Sequence, residues 1–385
     1  MSSITDRPRA PAALALGGRV PVARRQLLSE PAKLAVSVLA IAAAVALVLL
    51  LTGLRRGIGE QVTLYIDRQP ALLVGQAGAR NFIGQTSVLP ETLGVRLERV
   101  SGVAAATPIS KQFAMLTLHG RRVLPLLVGF DPGKPGGPWD LAAGRAPRAR
   151  GEIVLDRVLA DEHGLKVGSI VEHRGTPLRV VGLSRGTTAW MTPLAFATRA
   201  TLNALSGQPG TATFFLVRPG AGVSPVALAA GIERALPGVS AFTREEAAAN
   251  DRSLFTGAFS GVLLAMVTIA FAVAIMVIGL TVYSSTSERG REYATLKALG
   301  LRRRALLRLA AGQAGALALA GTALGAGLAF AGLSVAAAVA PNYLIVVTAE
   351  SVALMGAAAL AMALAAAFLP ARYLARLDPA SAFRR

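Results

Sequence analysis

Hydrophobic and polar positions are segregated along the chain into long uncharged stretches and the polar segments between them. Residues 34–54, 253–287, 309–349 and 351–369 contain no Lys, Arg, Asp or Glu. Each is about as long as, or longer than, the roughly 20 apolar residues that cross a bilayer as a helix. The 309–349 stretch is too long for one crossing, and Pro341-Asn342 breaks it. The pattern therefore predicts four spans at 34–54, 253–283, 306–335 and 351–369. The rest of the chain is then a 1–33 tail, a 284–305 loop, a short 336–350 outer loop and a 370–385 tail. Residues 55–252 alone mix polar and apolar positions over a length that can fold as a domain.

Within 55–252, β-branched or alternating runs predict strands at 113–119, 123–129, 152–155, 169–173, 178–183 and 211–218. Helices are predicted at 91–100, 156–163, 193–205 and 225–236, the second opened by Asp156 as an N-cap. Strands and short helices in alternation indicate an α+β fold of two small subdomains. The loop Pro132-Gly-Lys-Pro-Gly-Gly137 is the expected divide between them. The fold class expected is a membrane α-helical protein with four transmembrane helices and a large α+β extracytoplasmic domain inserted between helices 1 and 2.

Charge orients this arrangement. Lys and Arg number six in the 1–33 tail, seven in 284–308 and four in 370–385, against none in 336–350. The positive-inside rule then places both termini and the 284–308 segment in the cytoplasm, in a multi-pass protein of the cytoplasmic membrane. Arg55 and Arg56 fall on the other side, but they precede a long translocated domain, which escapes the rule. The 34–54 run exceeds a signal-peptide core and lacks a good cleavage site, so it reads as an uncleaved anchor. The net charge of +19 accompanies 53% hydrophobic residues and a mean hydropathy of +0.54. Basic residues are dispersed and aromatics are 5% of the chain, so no nucleic-acid surface is indicated. With no cysteine and three scattered histidines, neither disulfides nor a metal centre is expected.

The segment 284–308 organises the whole, because it is a charged island joining two spans. Glu288, Glu292, Leu296, Leu299 and Gly300 recur at helical steps along one face, and Gly300 suits a helix C-cap. Physics alone allows a plain topology anchor. The sequence Ser287-Glu-Arg-(x)2-Glu-Tyr-Ala-Thr-Leu-Lys-Ala-Leu-Gly300, however, resembles the loop after the second span in ABC-transporter permeases of the FtsX/MacB/LolCE superfamily, particularly the stand-alone DevC-like permeases. The resemblance continues in Leu28-Ser-Glu-Pro31, in Val103-Ala-Ala-Ala-Thr-Pro-Ile109 and in Gly129-Phe-Asp131. Further matches are Gly144-Arg145, Gly151-Glu-Ile-Val-Leu155, Gly164-Leu-Lys-Val-Gly168 and Asp378-Pro-Ala380, so the resemblance covers most of the chain.

That resemblance implies an ABC ATPase subunit docked on a coupling helix through Glu288, Arg289, Glu292, Tyr293, Leu296, Lys297, Leu299 and Gly300. It also implies a homodimer with a second copy of the chain, and it leaves room for a periplasmic adaptor. ATP and Mg would be used by the partner, with no cofactor bound by this chain. The residues agree with that division. Gly129-(x)3-Gly133-Lys134 lacks the spacing of a phosphate loop, and Leu205-Ser-Gly-Gln208 stands without the rest of a nucleotide-binding domain. Glu245 and Glu246 are adjacent on a helix beside Arg244 and make no acid/base pair. Apart from Arg308 at the entry to the third, the spans hold no charged group of the kind that ion-coupled transport uses. Gly257-(x)3-Gly261 and Gly321-(x)3-Gly325 place small residues on helix faces, where they suit close helix packing, although in Ala- and Gly-rich spans such spacings also arise by chance. The function expected is a permease subunit that exports or extracts a lipid, lipoprotein, peptide or drug-like substrate. The alternatives are a non-transporting mechanotransmitter regulating an envelope protein such as a cell-wall hydrolase, and a membrane anchor without an ATPase.

Overall fold

The computed structural model describes residues 31–69, 72–189, 192–288 and 303–374. Four long helices carry the apolar runs: α1 (Pro31–Asp67), α6 (Arg244–Glu288), α7 (Arg303–Val339) and α8 (Ala349–Leu374). The short helices between the first two are α2 (Leu93–Glu98), α3 (Arg157–Glu162), α4 (Arg199–Ser206) and α5 (Pro225–Ala235). Windows apolar enough to cross a membrane occupy Leu34–Asp67, Leu264–Ser284, Ala310–Val339 and Ala349–Phe368.

The helices overrun the predicted spans because helix continuity depends on backbone hydrogen bonds and not on apolarity. Beyond residue 54, α1 becomes amphipathic: Ile58, Val62, Tyr65 and Ile66 are buried at helical steps while Arg55, Arg56 and Glu60 are not. At 37 residues its length is about 55 Å, well over the roughly 30 Å of hydrocarbon. Likewise α6 begins at Arg244, inside the expected domain, with Ala247, Ala248 and Asp251 buried. The chain forms two compact units, one comprising Leu47–Phe271 with Leu328–Ser351, the other the described parts of Met1–Ala46, Ala272–Gly327 and Val352–Arg385.

The first unit is built on strands β1 (Leu72–Gln76), β2 (Leu89–Pro90), β3 (Val103–Phe113), β4 (Leu116–Leu118), β5 (Arg121–Val123), β6 (Leu126–Phe130), β7 (Leu141–Gly144) and β8 (Glu152–Asp156). They continue with β9 (Ile170–His173), β10 (Thr176–Ser184), β11 (Thr188–Ala189), β12 (Thr192–Thr198), β13 (Thr211–Ala212), β14 (Phe214–Pro219) and β15 (Val239–Phe242). The main path is β15-β1-β14-β3-β6-β12-β8-β10-β9-β4-β5, with β7 and β11 paired at its side. Its first four strands, with α2 and α5 in the crossovers, form a β-α-β-β-α-β unit of ferredoxin-like order. All the remaining strands of that path are inserted between the second and third strands of this unit.

The 11-residue strand β3 joins the two halves. Its Val103–Ile109 portion pairs antiparallel with β14, and Ser110–Phe113 pairs antiparallel with β6. Two subdomains are present, but the divide lies inside β3 and not at 132–137. The expected linker is instead packed down: Tyr65 Oη donates to Gly136 O at 3.0 Å, and a Cβ on Gly136 would lie 2.7 Å from Ile109 Cγ2.

Alternation of side chains across the strands gives the sheet two buried faces. Leu72, Val74, Phe215 and Val217 face the cluster with Leu93, Leu97, Leu228 and Ile232 of α2 and α5. Leu73, Phe214, Leu216 and Phe242 face the cluster with Tyr65 and Ile66 of α1 and Ala247 and Ala248 of α6. The inserted half has its own cluster, in which Ile153, Leu155, Val180 and Ala195 pack on Leu159 and Leu202 of α3 and α4.

Four predicted elements are corrected, among them the 211–218 strand, which is divided into β13, paired with β2 in a separate sheet, and β14 in the main one. Residues 193–198 are strand and not helix, because β12 lies in the middle of the sheet between β6 and β8. There Leu194, Ala195, Phe196 and Ala197 are all nearly inaccessible. Helix α4 starts only at Arg199, with Thr198 Oγ1 accepting from Thr201 N and Gly207 closing it at φ 68°. The predicted 113–119 and 123–129 strands are each split, since Ala114 N bonds to Pro125 O and Pro125 has no N–H to return. Asp156 does cap α3 as predicted, accepting from Val158 N and Leu159 N.

In the second unit, α7 presents a four-residue repeat of buried positions: Ala314, Ala318, Thr322, Ala326 beside Gln313, Leu317, Gly321 and Gly325. Thr322 Oγ1 is, among the described residues, the one buried side-chain polar atom without a hydrogen-bond partner.

Candidate functional site

The charged segment proposed from sequence is bracketed by the end of α6 and the start of α7. Glu288 is the last residue of α6, and Ser284 Oγ donates to its Oε1 at 2.9 Å. With Ala32, Val36, Ser37 and Ala40 of α1 and Leu280, Thr281 and Ser284 of α6, Glu288 lines a groove of about 430 Å³. Arg289, Glu292, Tyr293, Leu296, Lys297, Leu299 and Gly300 lie outside the described residues.

The two glycine pairs are placed differently. At Gly321 a Cβ would lie 2.4 Å from Ile41 Cγ2, and at Gly325 one would lie 2.7 Å from the Ala42 carbonyl oxygen. These residues let α7 approach the α1 backbone at a distance no larger side chain permits. A Cβ at Gly261, in α6, would meet nothing within 4 Å. Gly257 lies in the same helix.

A third glycine pair escaped the sequence reading. At Gly57 a Cβ would lie 1.7 Å from the Leu344 carbonyl oxygen, and at Gly53 one would lie 3.0 Å from Ile345 Cγ2. Val346 N donates to Gly53 O at 3.1 Å. The 340–348 connection between α7 and α8 is thus laid against the bare backbone of α1. Its signal was the spacing Gly53-(x)3-Gly57, identical to that at 321 and 325, but Arg55 and Arg56 between the glycines read as the flank of a span.

Charged side chains fix the attachments of the α+β domain. Arg199, at the start of α4, bonds through Nε to Asp131 Oδ1 at 3.0 Å and through Nη2 to Glu91. Asp131 follows β6 in the inserted half and Glu91 precedes α2 in the ferredoxin-like half, so one guanidinium ties both. The bond from Arg199 holds the Glu91 carboxyl below its ordinary range. Asp251 of α6 is fully buried and accepts from Phe82 N at 3.2 Å and Ile83 N at 3.1 Å. Burial pushes its carboxyl up to about 6, against the pull of those bonds and of Lys111. Asp156 is also buried, and it takes the hydroxyls of Thr187 at 2.6 Å and Thr188 at 3.0 Å besides its capping bonds. Each of these carboxylates is satisfied by structural donors. Among the described residues no group of three or more His, Asp or Glu is arranged to hold a metal ion.

Four membrane-length helices carrying one large α+β domain between the first two define a multi-pass membrane protein. Residues 34–235 match the family model described as MacB-like periplasmic core domain, and residues 264–379 match the one described as FtsX-like permease C-terminal. The chain belongs to the MacB/FtsX-like family of ABC transporter permeases, proteins of the inner membrane. A Mycobacterium tuberculosis protein named as an uncharacterized ABC transporter permease is 27% identical over 369 residues, covering 94% of this chain and 98% of its own. A Mycobacterium bovis protein of the same description is 27% identical over 357 residues, covering 91% and 95%. Among solved structures, the periplasmic region of MacB from Actinobacillus actinomycetemcomitans aligns with a TM-score of 0.37 at 14% identity, over 46% of this chain and 89% of that one. The extracellular domain of the noncanonic ABC-type transporter YknZ from Gram-positive bacteria aligns with a TM-score of 0.35, also at 14% identity, over 45% and 99%.

Proposed function

We propose that the chain is the membrane subunit of an ATP-driven exporter or extractor, which converts nucleotide-driven closure of a separate ABC ATPase into movement of its α+β domain. The match of residues 264–379 to the FtsX-like permease C-terminal carries this reading, because it spans the charged 284–308 segment together with both flanking helices. In this reading ATP and Mg are bound by the ATPase, the permease works as a homodimer, and the 72–242 domain lies outside the cytoplasmic membrane with both termini inside. The substrate class is a lipid, lipoprotein, peptide or drug-like molecule, with or without a periplasmic adaptor. Transport into reconstituted vesicles separates this reading from that of a non-transporting regulator of a cell-wall hydrolase.

The experiment is a detergent pull-down of a partner ABC ATPase subunit with this chain. Leu296→Ala combined with Leu299→Ala removes the apolar anchors of the docking helix, and such anchors dominate interface energy. Association is expected to fall about tenfold or more, equivalent to about 1.4 kcal/mol. Replacing Arg302, Arg303 and Arg304 with Gln is expected to disturb membrane topology more than ATPase binding. Wild-type binding by the leucine variant, with failure of the arginine variant alone, would reduce the segment to a topology anchor.

A further inference from the structure

The 340–348 connection is uncharged and contains Pro341 and a run of aliphatic residues, a composition suited to a passive turn between two helices. Its hydrogen bonds are not those of a passive turn. Asn342 Nδ2 donates to Glu162 Oε1, at the end of α3, at 2.7 Å. Arg56 Nη1, on α1, donates to Thr348 Oγ1 at 2.7 Å and to Ser351 Oγ at 3.0 Å. Between these contacts stands Gln61, 5% exposed, also on α1. Its Nε2 donates to Asn342 O at 3.0 Å and to Thr188 O, in β11, at 3.1 Å. Its Oε1 accepts from Leu344 N at 3.3 Å.

We infer that Gln61 is a positioning residue that fastens the 340–348 connection and the α+β domain to α1, making the three a single moving body. One carboxamide spends both N–H groups and its oxygen on two other segments of the chain. A buried amide gains only modest net stability from such bonds, although its removal leaves the Asn342 and Thr188 carbonyls and the Leu344 N–H without this partner. What it adds is specificity, because its donors and acceptor are satisfied in one relative placement of the three segments and stranded in any other. Gly57 makes the placement possible by leaving room for the Leu344 carbonyl on the α1 surface. The inference deepens the proposed function: a fastened connection delivers displacement of α1, α7 and α8 to the domain together, and an unfastened one lets the domain lag.

The test uses the full chain in lipid nanodiscs without any ATPase, so its failure and the failure of the permease reading are separate results. Gln61→Met keeps the volume and removes the three bonds; Gly57→Ala keeps the carboxamide and displaces Leu344 from its seat against it. Hydrogen exchange at the Leu344 amide is expected to accelerate about tenfold in either variant, with the Phe214–Pro219 strand unchanged. Because the chain lacks cysteine, spin labels on Arg122→Cys and Glu350→Cys report the distance between domain and connection. A narrow distribution is expected in the parent and a broadened one in Gln61→Met. Unchanged exchange and an unchanged distribution overturn the inference. So does exchange that accelerates equally throughout the domain, which would make Gln61 a general packing residue.

Discussion

Asp251 and Lys111 hold opposite ends of the same residue. The Asp251 carboxylate accepts from Ile83 N at 3.1 Å while Lys111 Nζ donates to Ile83 O at 3.0 Å. Lys111 also lies over the rings of Phe82 and Phe214, 5.3 and 5.8 Å from their centroids. The segment before β2 is thereby pinned between the start of α6 and the middle of the sheet.

This arrangement predicts a pH dependence. Burial raises the Asp251 carboxyl from 3.8 to about 6, so its contribution to stability is complete below about pH 4 and is lost as pH rises through 6. Burial lowers the Lys111 ammonium from 10.5 to about 8, so its contribution is complete above about pH 10.5 and is lost as pH falls through 8. Thermal midpoints of the purified chain measured from pH 4 to 10 are expected to show both slopes. Asp251→Asn should flatten the acidic window, and Lys111→Met the basic one. Persistence of the acidic slope in Asp251→Asn would assign it to another group.

Arg199 is the second point of attachment. Replacement by Met is expected to cost about 2 kcal/mol, because it leaves Asp131 and Glu91 without their guanidinium but with access to water. Lys at the same position retains the charge and loses the fork that reaches both carboxylates, so it should recover only part of the loss. Denaturant unfolding of the three proteins measures the difference; equal stability of the Lys variant and the parent would show that charge alone matters there.

Gly325 and Gly261 provide a matched pair within the membrane helices. Gly325→Ala drives a methyl toward the backbone oxygen of Ala42, which cannot rotate away, and should destabilise by about 1–3 kcal/mol. Gly261→Ala meets open space within the chain and should change stability by under about 0.5 kcal/mol. Thermal stability in detergent, followed by size-exclusion chromatography, separates them. A large loss at Gly261 alone would reverse the assignment of which helix face is packed.

Much of the architecture was readable because bilayer-length apolar runs and Lys/Arg asymmetry are strong signals, and so the four long helices and the α+β insertion were expected. The ferredoxin-like half was harder to see. Strand β1 is buried on both faces, so Leu72-Leu-Val74 reads as an apolar run without alternation, whereas Phe214–Arg218 of β14 falls within the predicted 211–218 strand. The strand at 103–109 was noted only as a motif, because Ala104, Ala105 and Ala106 carry little strand propensity and rely on β14 for their pairing. Residues 193–198 misled for the same reason, with tertiary burial overriding an Ala- and Leu-rich local pattern. Of the site, Gly321 and Gly325 were visible from spacing, whereas Gln61 was not, since a lone Gln on an amphipathic helix carries no sequence mark of what it reaches.

The insertion between the second and third strands of the ferredoxin-like half also dictates when that half can form. Strand β1 and the Val103–Ile109 part of β3 leave the ribosome early but have their neighbours β14 and β15 at the far end of the domain, so they must wait unpaired through about a hundred residues of synthesis. The inserted half, whose contacts are nearer in sequence, can condense first around its own core. Closure comes with β15, which ends at Phe242, with Thr243 alone between it and the start of α6 at Arg244. The domain is thus sealed only as the second span emerges, and a delay between the two would leave Leu72, Leu73 and Val74 as an exposed adhesive edge.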